Sequence, residues 1–355
     1  MLGFQAIKGV QEQNAHSNKQ QSLNSHLYIA AMNGLFIQAK NWVRKGAQVD
    51  EPNDQFFGWT PIMVAIMANP WTKGHYDIVN LLLKNGANPN QTFKIDGKIT
   101  QTHPDLKSFK RFHGMSLLTR AACQGHLGVL QLLVKHGADV NQKTGENYGP
   151  LDCIIDSKEL IPSLRLQLIE FFLKNGVVTE YKDKTEKLSP FHRAVEDGQI
   201  EVVKLLIQHG VNMESRNSWD NTPIITCIAG SKGHLEIVKL LLEQGIDINS
   251  KGAHGYTMLH FAVEAFNFEI VKFLLENGAN VNAKTGKHNT PLHSACNGSD
   301  HHLKRNKVTE MLLEHGADIS AINKAGCTPL HLASEYGLNL AVQIFLKKGK
   351  HYLLL

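Results

Sequence analysis

The 355-residue chain is 42% hydrophobic and carries 37 basic against 32 acidic residues, a formal net charge of +5. That apolar share belongs to globular chains, not disordered ones. The basic excess gathers in no dense Lys/Arg run and only seven of the basic residues are arginine, which argues against nucleic acid as a partner.

In chain order, residues 1–24 read as a polar, Gln- and Asn-rich tail or partial cap, without the apolar run of a signal peptide. From Ser25 onward, helix-like apolar runs end in glycine nine times: Gly46, Gly86, Gly137, Gly176, Gly210, Gly245, Gly278, Gly316 and Gly349. Their spacings are 40, 51, 39, 34, 35, 33, 38 and 33 residues, a unit of about 33 stretched by insertions. The pattern predicts an all-α solenoid of about nine helix-turn-helix units over residues 25–350. No stretch approaches the roughly 20 apolar residues of a membrane span.

The unit is cleanest in Thr328–Gly349. Thr328 caps a helix, Pro329 takes the first helical position where its missing N–H costs nothing, and Gly337 breaks the helix. Ala341, Val342, Phe345 and Leu346 form a second apolar stripe, and Gly349 is expected to close it as a left-handed cap. The fourth copy, Gly149 to Gly176, has Gly149-Pro150-Leu151-Asp152 where others have Thr-Pro, and it also carries Pro162. It reads as a weak junction.

Extra residues fall between the two helices of the second, fourth, sixth and eighth copies: Asn69–Lys73, Ser157–Pro162, Ala229–Lys232 and Ser299–Arg305. A longer insertion, residues 91–112, interleaves Phe93, Phe109 and Phe112 with lysines and Arg111, and is read as a contact loop. The final residues, 351–355, form a short apolar tail.

Thr290-Pro291-Leu292-His293, Thr328-Pro329-Leu330-His331, Gly125-His126, Gly233-His234 and Gly137-Ala138-Asp139-Val140-Asn141 resemble the ankyrin repeat. The resemblance covers roughly Ser25 to Gly349 and implies paired antiparallel helices joined by β-hairpin fingers. It also implies a concave groove lined by fingertips and first-helix ends. Those positions carry an aromatic, apolar line, Phe56, Phe57, Trp59, Met115, Tyr148, Trp219 and Tyr256. Beside it runs an acidic shelf of Glu186, Glu196, Asp197, Glu264 and Glu335, with Tyr336 next to it. Aromatic hot spots and an acidic groove suit a protein partner with a basic or apolar segment.

Little points to chemistry. No nucleophile elbow, phosphate loop or zinc-protease motif occurs. His192, His260, His293 and His331 recur three residues after the cap, so a ring there bonds the cap hydroxyl or a neighbouring loop. The pair His301-His302 lacks Cys or carboxylate companions at ligand spacing. Cys123, Cys153, Cys227, Cys296 and Cys327 show no pair within four residues and read as unpaired thiols in a reducing compartment. Catalytic residues, metal and cofactors are therefore all expected to be none.

The resulting expectation is a monomeric, cytoplasmic, non-enzymatic scaffold that binds a protein through groove and fingertips. The irregular insertions and Lys- and Asn-rich composition are also similar to ankyrin effectors that intracellular bacteria deliver, which would place it in a host cytosol. The alternative is the targeting part of a larger effector enzyme, with its catalytic domain beyond Leu355 or cryptic in the degenerate repeats.

Overall fold

The computed structural model describes residues 19–53, 58–93, 113–143, 148–180, 188–230, 233–298 and 300–347, with the backbone continuing to 352. The chain divides into two compact units, Met1–Val178 and Thr179–Leu355. The first holds α1 (residues 19–32), α2 (Phe36–Arg44), α3 (Pro61–Met67), α4 (Lys73–Lys84), α5 (Leu117–Cys123), α6 (Leu127–Lys135), α7 (Pro150–Asp156) and α8 (Pro162–Lys174). The second holds α9 (Pro190–Glu196), α10 (Ile200–Gln208), α11 (Pro223–Ala229), α12 (Leu235–Glu243), α13 (Met258–Glu264), α14 (Phe268–Glu276), α15 (Pro291–Cys296), α16 (His302–Glu314), α17 (Pro329–Glu335) and α18 (Asn339–Tyr352). In each unit a short first helix packs on its own longer partner and on the first helix of the next repeat, as α9, α11, α13, α15 and α17 do in turn.

A first helix trapped between neighbours has almost no solvent face. All six residues of α15 are buried, as are six of the seven in α3. Burial of each Leu or Ile removes about 1.5–3 kcal/mol worth of apolar exposure, so a repeat gains its stability from its neighbours. Second helices show one buried stripe, such as Ile237, Val238 and Leu241 in α12. Eight of the closing glycines, from Gly46 to Gly316, take positive φ between 74° and 95°, which side chains resist. Where the following loop ends in asparagine, that side chain can tie two repeats. Asn282 Nδ2 donates to Gly316 O at 3.1 Å, while its Oδ1 accepts from Asp318 N at 2.8 Å. Asn90 and Asn141 do the same in the first unit.

Three of the recurring histidines form the second tie, each bonding both of the expected groups at once, whereas His331 bonds only its own cap, Thr328. His260 Nδ1 lies 2.8 Å from Thr257 Oγ1, and its Nε2 lies 3.1 Å from Asn289 O in the next repeat. His192 reaches Ser189 and Asn221 O, and His293 reaches Thr290 and Cys327 O. A carbonyl only accepts, so Nε2 must carry the proton and Nδ1 must accept from the cap. Burial opposes a charge on these rings: it holds His260 down at about 4 and also lowers His192 and His293.

Several expectations change. The fingers contain no strand among the described residues. Single bridges hold them, Asn53 to Trp59, Thr92 to Ser116 and Lys251 to Thr257. Residues 19–24, read as part of a tail or partial cap, belong to α1, where Gln20 Nε2 donates to Gly46 O at 3.0 Å and Asn24 Oδ1 accepts from Gln48 N at 2.9 Å. Gly349 does not end its helix, because no further Ala-Asp-Val-Asn loop follows to draw the backbone away; α18 continues to Tyr352. Pro162, expected to weaken its repeat, opens α8 at a position needing no N–H. In the fourth repeat the buried Asp152 carboxylate accepts from Gly149 N at 2.8 Å, taking the histidine's place at the cap. Cys123 and Cys153, read as unpaired, are joined as a disulfide with Cα atoms 5.4 Å apart. They lie 30 residues apart, close to one repeat, and stacking of α5 on α7 brings them together.

The extra residues in the second, fourth and eighth repeats partly lengthen a helix. There α4, α8 and α16 have 12, 13 and 13 residues, against nine in α6, α10, α12 and α14. The buried Arg305 finishes the short α15, donating to the carbonyls of Ser294 and Ala295 at 3.3 Å and to Asp300 Oδ1 at 2.8 Å. Arg165 does the corresponding job for α7, donating to Ser157 O.

Two outcomes are expected. Denaturant unfolding should proceed in at least two steps, one for each compact unit; a single transition coincident by two probes, with an m-value for the whole chain, would contradict this. The lowered histidines make stability depend on pH. The unfolded rings take up protons below about 6.5 while the folded His260 stays neutral to about 4. Stability is therefore full above 6.5 and lost as pH falls towards 4, by roughly 3 kcal/mol for His260 alone. Melting temperature should fall across that window in the parent and fall less in a His260→Gln variant, which starts lower.

Candidate protein-binding surface

The expected contact residues sort differently in the two units. In the first, Trp59 is only 5% exposed, its ring meeting Phe93 edge-on at 5.2 Å. It is a packing residue, not a fingertip hot spot. Phe93 opens the 91–112 insertion and is itself buried, and Phe93 N donates to Met115 O at 2.8 Å while Gly114 N donates to Phe93 O at 2.7 Å. Both roots of the insertion are thereby pinned to the finger. Met115 is half-buried at that root, and Tyr148 is half-buried with its hydroxyl donating to Asp156 Oδ2 at 3.2 Å. Phe56, Phe57, Glu186 and the body of the insertion lie outside the described residues.

In the second unit the aromatic groups remain accessible. Trp219 is 54% exposed at the tip of a tight turn. That turn is built by Asn217, whose Oδ1 accepts from the backbone N–H of Trp219 and of Asn221 at 3.0 Å. Asp220 takes the left-handed conformation, φ 61°, and its carboxylate meets Arg216 at 3.2 Å. A fixed turn thus holds a large apolar ring in water. Tyr256 is half-buried, its ring centroid 5.3 Å from that of His260 and 5.5 Å from that of Phe261. Tyr336 is half-buried at the end of α17.

The acidic residues stand where a helix least favours them. Glu196 ends α9 with Asp197 at its cap, Glu264 ends α13, and Glu335 ends α17; all four are exposed. The negative pole of a helix lies at that end, so each such carboxylate costs about 0.3–1 kcal/mol instead of stabilising. Partial desolvation and then the adjacent Asp197 charge raise Glu196, outweighing Arg193. Desolvation also raises Glu264, even though Ser294 Oγ donates to it at 3.0 Å and Arg305 and the Tyr256 hydroxyl favour its charge. Beside Glu196 the next repeat offers Gly230, where a Cβ would come 3.8 Å from Glu196 Cγ.

Tyr256 and Glu264 are therefore brought together, as are Glu196 and Asp197. Ser294 and Arg305 complete the Glu264 environment and were not expected from the sequence. They come from the next first helix and from an irregular insertion, which motif reading treats as background.

No helix among the described residues is long and apolar enough to cross a membrane. A family profile of ankyrin repeats in three copies matches residues 4–93, 163–252, 191–285 and 259–354, and a single ankyrin-repeat profile matches residues 113–145. The chain is similar to ankyrin repeat protein FPV031 of fowlpox virus (strain NVSL), 28% identical over 201 residues that make up 56% of this chain and 51% of that protein. It is 24% identical over 196 residues to ankyrin repeat and SOCS box protein 3 of Bos taurus, covering 55% of this chain and 32% of that one. It is also 31% identical over 108 residues to alpha-latrocrustotoxin-Lt1a of Latrodectus tredecimguttatus, covering 26% of this chain and 7% of the toxin. The chain thus spans about half or less of the length of these relatives. They are viral and animal proteins, so they lend no support to a resemblance to bacterial effectors. Paired helices, closing glycines, bridging histidines and the profiles agree: the chain belongs to the ankyrin-repeat family.

Proposed function

We propose that the chain is a monomeric, non-enzymatic scaffold whose second unit grips a partner protein along its turns and first-helix ends. Trp219, Tyr256 and Tyr336 supply apolar contact, and Glu196, Asp197, Glu264 and Glu335 receive basic side chains of the partner. The observation that carries the reading is the placement of those carboxylates at the negative ends of α9, α13 and α17. A purely structural helix end favours a cation there. Acid held against the dipole and partly desolvated becomes favourable once a positive group arrives. The exposed Trp219 supports the same surface, because Trp is the residue type most enriched among binding hot spots.

The reading is tested on the protein that the intact chain captures from cells, with association measured at several salt concentrations. The variant Glu196→Gln/Asp197→Asn/Glu264→Gln should melt at the same temperature or slightly higher, associate more slowly, and show a flatter salt dependence. A parent association rate that stays constant from low to high salt removes the shelf from the interface.

Trp219→Ala should weaken partner binding by about 2 kcal/mol or more while changing stability by less than about 0.5 kcal/mol. Trp59→Ala should do the reverse at the level of the fold, lowering stability by roughly 3–5 kcal/mol. Loss of folding in the Trp219 variant would show that this indole packs and does not bind.

A further inference from the structure

The repeat period sets Arg216, Lys251 and Lys284 at one register position, six residues before the caps Thr222, Thr257 and Thr290. Lys287 joins them from three residues before its cap. The turns carrying Lys251 and Lys284 meet backbone to backbone, Gly286 N donating to His254 O at 2.8 Å. His254 and Gly255 are both left-handed, φ 55° and 78°. A Cβ on Gly286 would stand 3.1 Å from the His254 carbonyl oxygen, so the seam leaves little room for a side chain. The next turn continues the row, Lys324 N donating to Lys287 O at 3.0 Å.

Between these turns opens a cavity of about 460 Å³, lined by Lys251, His254, Tyr256, Lys284, Thr285 and Lys287. That volume falls in the range of roughly 300–1,000 Å³ typical of ligand sites. Lys204, Lys239 and Lys272 of the same unit pair with Glu201, Glu236 and Glu276. Lys251, Lys284 and Lys287 are exposed and form no such pair among the described residues. Two carboxylates act on this wall and both have other donors. Glu264 takes bonds from Ser294 and Tyr256, and Asp318 Oδ1 accepts from Ser320 N at 2.8 Å and Oγ at 2.6 Å. Asp318 offsets part of the charge at Lys284, but three ammonium groups around one opening outnumber it and repel one another, and an entering anion relieves that repulsion.

We propose that this cavity docks an acidic peptide segment of the partner, its carboxylates among Lys251, Lys284 and Lys287 and an aliphatic stem against the Tyr256 ring. Lysines are mobile point charges and suit successive carboxylates of an extended chain, without the bidentate fork that arginine would supply. The inference rests on the scaffold reading above, and adds that the partner presents acid to the turns as well as base to the helix ends.

The probe is a fluorescein-labelled hexaglutamate peptide beside its hexaglutamine counterpart, with anisotropy read on the intact chain at low ionic strength. Hexaglutamate should bind at least about tenfold more tightly than hexaglutamine. The variant Lys251→Gln/Lys284→Gln/Lys287→Gln should lose about that tenfold while its melting temperature holds or rises, and the triple arginine variant should retain the binding. Lys204→Gln/Lys239→Gln/Lys272→Gln, with the same change in net charge, should stay within about twofold of the parent. Equal binding of the two peptides, or an equal loss in both glutamine variants, overturns the site. Because the peptide reports on the turns alone, a negative result here leaves the captured partner and its dependence on Trp219 standing.

Discussion

A repeat of this protein has no inside of its own, so everything depends on the bond that sets one repeat against the next. In the second unit that bond runs through a neutral imidazole. His260 accepts from its own cap at Nδ1 and donates from Nε2 to Asn289 O of the following turn, and His192 and His293 repeat the geometry. One ring thereby satisfies an orphan helix start and fixes the register of the neighbouring turn. Burial that holds the ring neutral is a condition of the arrangement, since a proton at Nδ1 would face the Thr257 N–H donor.

The binding surface follows from the same constraint. Caps and inner helix faces are consumed by contacts between repeats, so freedom to vary survives at the turn tips and at the far ends of first helices. Those places hold Trp219, the four carboxylates and the lysines around Tyr256. The turns are rigid despite lacking strands, because Asn217 and left-handed residues such as Asp220 and His288 fix their backbone. Exposed groups on a fixed turn lose little freedom when a partner docks, which favours binding.

Much of this was legible in the sequence because the signals are local and repeated. Thr-Pro caps, closing glycines and the histidine three residues past the cap all recur at one period, and the repeats and most helix boundaries follow from them. What escaped depends on contacts between copies. Trp59 has a fingertip position in the repeat, yet the insertion supplies Phe93 to cover it. Cys123 and Cys153 carry no local spacing signal, because only stacking brings residues 30 apart together. Asp152 replaces the histidine with a different acceptor, so a missing motif concealed a satisfied cap. Lys251 and Lys284 stand one repeat apart in the chain, so the charge around Tyr256 forms no continuous run.

The account turns on the protonation state of the bridging rings, which long-range nitrogen–proton NMR of the intact chain reads directly. His260, His192 and His293 should appear as neutral Nε2–H tautomers at pH 7, with His260 unprotonated until about pH 4. An Nδ1–H tautomer, or titration of His260 near the ordinary 6.5, would contradict the claim that these imidazoles hold one repeat to the next.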